Sequence, residues 1–143
     1  MRALLAFLAV VIGGCALVQQ PAPVSAPAPA PPAARTENAA IAGLLDSARA
    51  DAASGRLANA AASLERALRI EPRNPRLWQE LARVRLKQGE YAQAESTAAR
   101  SNSWAGGDST LRAENWRLIA RAREARGDAA GARAALEAAE RQR

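Results

Sequence analysis

The chain has 143 residues, 39 of them alanine, with 20 Lys plus Arg against 14 Asp plus Glu, no histidine, one cysteine and five aromatics. This length makes one domain, and a core drawn from alanine with a few Leu, Ile and Trp anchors argues for closely approaching helices and against a sandwich or barrel. Without histidine there is no Ser-His or Cys-His nucleophile pair and no histidine-ligated zinc, one cysteine leaves no internal disulfide, and neither a cofactor nor a metal site is expected. The net charge of +6 suits nucleic acid, an anionic lipid surface or an acidic protein.

Met1 and Arg2 give a short positive start, and residues 3–12 (ALLAFLAVVI) are apolar throughout before Gly13, Gly14 and Cys15. This is the architecture of a secretory leader. The uncharged stretch 3–18 is short of the roughly 20 residues that cross a bilayer core. Ile12-Gly13-Gly14-Cys15 resembles the lipobox of bacterial lipoproteins. That resemblance implies removal of residues 1–14 and acylation of Cys15, which anchors the chain in a lipid membrane. More than one acyl chain holds such an anchor stably. Ala16 stands where the inner-membrane retention signal of such lipoproteins places Asp, so the periplasmic side of the outer membrane is favoured over the inner membrane.

Residues 15–38 read as the anchor cysteine and a spacer. The stretch 21–34 (PAPVSAPAPAPPAA) holds six of the eight prolines and six alanines, which excludes a regular helix and favours extended polyproline II. At about 3.1 Å per residue it reaches roughly 40 Å and holds the folded part off the membrane.

Residues 39–143 are a repeat. The chain divides at Ile41, Pro75 and Ala113, in steps of 34 and 38 residues, into units of about 41–74, 75–108 and 113–143. Each is a helical stretch, a glycine and a second, small-residue-rich helical stretch. Gly55, Gly89 and Gly127 end the first helices in the left-handed conformation. Ala48, Ala82 and Ala120 precede them by seven residues, and Ala60, Ala94 and Ala132 follow by five, so the two helices can approach closely. Leu44, Trp78 and Trp116 share one position, Leu64 and Leu136 recur on the second helices, Leu57 and Tyr91 match there, and Pro72 and Pro75 bracket a turn. Residues 101–110 (SNSWAGGDST) absorb the four extra residues as a loop, with Asp108 as N-cap and Trp104 either as a cover over the longer turn or as a loop aromatic that touches a ligand.

The pattern resembles tetratricopeptide repeats over about residues 41–141, best in the unit containing Trp78, Leu81, Ala82, Gly89, Tyr91 and Ala94. The fold expected is all-α, a short solenoid of about three antiparallel helix hairpins and six helices. The last helix has no polar capping helix after it, so self-association is open. In that family the first helices line a concave groove that takes a protein or peptide. Arg49, Arg83 and Arg121 occupy one equivalent position, and Arg76, Gln79, Lys87 and Arg117 are expected on the same face, with Leu45, Leu86 and Glu124. The expected partner is an acidic or C-terminal carboxylate-bearing segment held by arginine forks.

The function expected is a membrane-anchored periplasmic interaction module or assembly scaffold and not an enzyme. The alternative is a cell-envelope enzyme or enzyme accessory acting on the cell wall, with Glu80 and Glu124 as a glycosidase-type pair. Nucleic acid is not an expected partner, since export and the scarcity of aromatics outside the core leave no base-stacking platform. Replacing Cys15 with Ser is expected to remove the acyl mass and shift the protein out of the membrane fraction. Mass spectrometry and fractionation check both.

Overall fold

The computed structural model describes residues 32–142, and their side chains from residue 38 onward. The leader, Cys15 and the proline-rich stretch up to residue 31 lie outside the described residues. Among those described, the secondary structure is six helices: α1 Pro32–Ala53, α2 Leu57–Ile70, α3 Pro75–Lys87, α4 Tyr91–Trp104, α5 Ser109–Ala125 and α6 Ala129–Glu140. Each packs on the next, and α3 also touches α5, as in a stack of three hairpins.

The hairpins close where the sequence places its glycines. Gly55, Gly89 and Gly127 have φ of +75°, +78° and +82°, a conformation that costs other residues a Cβ clash. The small residues flanking these turns, Ala48 with Ala60, Ala82 with Ala94 and Ala120 with Ala132, are all buried. Methyl-sized side chains at these positions permit a close approach of the paired helices. Asn74 caps α3 by accepting from the backbone N–H groups of Arg76 and Leu77 at 3.0 and 3.3 Å, with Pro75 at N1. Asp108 caps α5 through the Leu111 N–H at 2.9 Å.

Two sequence expectations change, and the last helix, expected to lack a cap, is uncovered at Leu136. Helix α1 begins at Pro32, inside the stretch read as an extended arm. Proline suits the first turn, where its missing N–H goes unused, and Ala33-Ala34 are strong helix formers. The segment read as a loop over residues 101–110 shrinks to four residues, 105–108, and the four-residue insertion becomes the first turn of α5. Ser101 there is fully buried, its Oγ donating to the Pro75 carbonyl at 2.7 Å. Leu136 is 49% exposed although its counterpart Leu64 is 1% exposed. The cause is positional: α3 covers Leu64, and no described helix follows α6.

The core has two parts. The first joins α1, α2 and α3 around Ile41, Leu64, Leu68, Leu77, Leu81 and Val84, with Leu44 and Trp78 at its edge. The second joins α3, α4, α5 and α6 around Ala82, Ala98, Leu118, Ile119, Ala120 and Ala135, with Trp116 at its edge. Trp78 donates its indole N–H to the Pro72 carbonyl at 2.8 Å, tying the proline turn to α3. Trp104 closes α4, partly exposed, with the Arg73 guanidinium 5.1 Å from its ring centroid.

A Cβ at Gly89 would meet no atom, so Gly89→Ala carries only the backbone penalty. The expected loss is about 1 kcal/mol of stability, a fall in Tm of roughly 4–8 °C for a domain of this size, measured by thermal circular dichroism.

Candidate functional site

The first helices of the three hairpins line a concave groove of about 530 Å³. Helix α1 contributes Leu45, Ala48, Arg49 and Ala52; α3 contributes Glu80, Arg83, Val84, Leu86 and Lys87; α5 contributes Glu114, Arg117, Leu118 and Arg121. Leu64 of α2 completes the floor. The floor is apolar and the rim charged, because helical spacing sets the core-facing residues and the long side chains on adjacent faces.

The rim is basic but unevenly neutralised. Glu80 lies 3.7 Å from Arg49 and 3.6 Å from Arg83. Arg83 Nη2 donates to Glu114 Oε2 at 2.8 Å, linking α3 to α5. Arg49 also stands 3.9 Å from Asp46. Lys87, Arg117 and Arg121 make no ion pair among the described residues. Arg117 and Arg121 are one turn apart on α5 and repel each other across water. Five cations against two carboxylates leave the groove positive, and its neutral share sits at Arg49 and Arg83.

Of the seven residues singled out in the sequence, five line this groove: Arg49, Arg83, Lys87, Arg117 and Arg121. Arg76 does not. It sits at the start of α3, its Nη2 3.2 Å from Asp108 Oδ2, and so braces the two inter-repeat turns. Gln79 does not reach the surface either. It is 5% exposed, and its Nε2 donates to Asn115 Oδ1 at 3.1 Å while its Oε1 accepts from Arg83 at 3.3 Å. Leu45 and Leu86 also line the groove. Glu124 is exposed and outside the groove, so Glu80 and Glu124 are not brought together.

Sequence reasoning missed Glu114 and the polar joint beneath the rim. Fully buried Asn115 donates through Nδ2 to Ser101 Oγ at 2.7 Å and Asn102 Oδ1 at 2.9 Å. A chain of hydrogen bonds therefore runs from groove-lining Arg83 through Gln79 and Asn115 to Ser101 and the Pro75 carbonyl. The visible signal was Asn115 at the register of Leu77, a polar residue on a core face, which demands a partner.

A family profile described as Tetratricopeptide repeat matches residues 51–113. The chain is similar to the solved structure of the globular C-terminal domain of P. aeruginosa LpoP, at 50% identity and a TM-score of 0.69, over 70% of this chain and 94% of that one. No curated protein matches it.

Removing the Asn115 side chain leaves the buried Gln79 Nε2 without its acceptor and takes a donor from Ser101 Oγ, which keeps its bond to the Pro75 carbonyl. Asn115→Ala is expected to cost about 2–3 kcal/mol, the scale of unsatisfied buried polar groups, read as a lower urea midpoint with an unchanged m-value.

Proposed function

The chain belongs to the tetratricopeptide-repeat family, and from that premise we propose that it is a membrane-tethered periplasmic module that holds a segment of a partner protein in its concave groove. The repeat fold and the similarity to a globular domain placed at a C-terminus support an interaction domain carried beyond an N-terminal arm. The lipobox-like Ile12-Gly13-Gly14-Cys15 supports acylation at Cys15, and Ala16 supports the outer membrane over the inner. The proline-rich stretch supplies reach between anchor and repeats.

The observation that carries the groove reading is the electrostatic imbalance over an apolar floor: three cations without ion-pair partners among the described residues, beside two that share Glu80. Arg117 and Arg121 are planar forks suited to bidentate carboxylate contacts, with Lys87 as a point charge beside them. A partner segment that fits carries a carboxylate, from acidic side chains or a C-terminus, and apolar side chains for the half-buried Leu45 and Leu86. Its capture resembles other groove-bound peptides, in which apolar burial holds the segment and charge sets its direction.

Charge reversal separates this role from a solvated arginine face. Arg83→Glu with Arg121→Glu is expected to lower partner capture in crosslinking pulldowns from intact cells at least about tenfold, a coupling of about 1.4 kcal/mol or more, with helicity retained. Because Arg83 also pairs with Glu80 and Glu114, Arg117→Glu with Arg121→Glu is the companion variant that breaks no ion pair of the fold. Unchanged capture in both variants removes the groove reading.

A further inference from the structure

The repeat register exposes a match between the two ends of the stack. In repeats two and three the first helix packs on the preceding hairpin through Leu77, Leu81 and Val84, and through Asn115, Ile119 and Ala122, all buried. Stepping back by the same register gives Gly43, Ser47 and Ala50 on α1, all exposed and all small. A Cβ built on Gly43 meets nothing within 4 Å. At the other end, Leu64, Ala98 and Leu136 share one position on α2, α4 and α6. The first two are 1% and 0% exposed beneath the next repeat, whereas Leu136 is 49% exposed.

Bulk and charge both change sides together. At the internal joints, Leu77, Leu81 and Val84, or Asn115 and Ile119 beside the small Ala122, fill the space; at the ends, the large residue is Leu136 and the opposing ridge is Gly43, Ser47 and Ala50. The joint between α4 and α5 is bridged by Glu95 to Arg123 at 2.6 Å. The equivalents of those residues are Arg133 on α6 and Asp51 on α1, the same pair with signs exchanged. Arg133 has no ion pair among the described residues, while Glu137 beside it is met by Arg141 at 4.0 Å. Asp51 Oδ1 accepts from Arg56 at 2.8 Å, and its Oδ2 has no hydrogen-bond partner among the described residues.

We propose that these chains stack head to tail, the α6 face of one copy seated on the α1 face of a second, with Leu136 over Ser47 and Arg133 facing Asp51. The joint reproduces the packing already used twice inside the chain, because a repeat buries its apolar face only against a neighbour. The contact is heterologous, so it extends as a row instead of closing as a twofold dimer. Each joint is small, and local concentration of copies on one surface favours it. The groove residues take no part in it, so its failure leaves the groove reading untouched and loss of partner capture leaves the row intact.

Site-specific disulfide trapping in intact cells tests this with two differently tagged full chains, one Ser47→Cys and the other Leu136→Cys. The mixed pair is expected to crosslink at least tenfold more than either variant with its own kind. Adding Arg133→Asp is expected to lower the mixed yield several-fold. Both cysteine positions are exposed, so melting curves of the two variants should match the parent. Absent mixed crosslinks, equal yields in all pairings, or a dominant Leu136→Cys self-pair, which marks a twofold arrangement, each overturns the proposal.

Discussion

Close approach of helices through methyl-sized contacts is the constraint on which this molecule depends. Six alanines, two per hairpin, sit buried where the paired helices cross, and three left-handed glycines return the chain at the right distance. Alanine is also the best helix former, so the same composition that allows close packing stabilises each helix locally. The cost is a core of low apolar volume, and the larger side chains are concentrated between hairpins, at Leu64, Leu77, Leu81, Leu111, Leu118 and Ile119. Tight hairpins joined by bulkier seams hold the three first helices in order along the groove.

Charge takes the role that bulk leaves vacant. Several ion pairs cross from one repeat to the next: Arg85 with Glu65, Arg123 and Arg126 with Glu95, Arg83 with Glu114, Arg49 with Glu80. Each is partly exposed and contributes little alone, yet a mis-registered stack would place like charges together. The polar joint at Asn115 acts in the same way with greater stakes, since a buried amide tolerates only the arrangement that satisfies it. Lys87, Arg117 and Arg121 are left over after this stitching, three of the five cations that line the groove.

The groove and the ends of the stack follow from one geometry. Repetition puts equivalent residues on equivalent faces, so the concave wall collects Arg49, Arg83 and Arg121, while the outermost faces show what an internal joint normally hides. In the arrangement proposed above, a tether at the N-terminal side leaves the groove to a partner and the end faces to further copies.

Repeat type, hairpin order and turn positions were legible in the residues, because the glycine phase and the small-residue spacing are local features with one structural meaning. The equivalence of Arg49, Arg83 and Arg121 was legible for the same reason, and so were Lys87 and Arg117 by helical periodicity. Gln79 and Arg76 share that periodicity, yet one is pulled into the core by Asn115, 36 residues away, and the other is drawn to Asp108, 32 residues away. Helical spacing gives the direction in which a side chain leaves its helix; what it meets is decided by the next repeat. Residues 101–110 read as loop because their Ser, Asn and Asp are turn formers; in the fold Ser101 and Asn102 stay on α4 and meet Pro75 and Asn115, while the extra residues form the first turn of α5 behind the Asp108 cap.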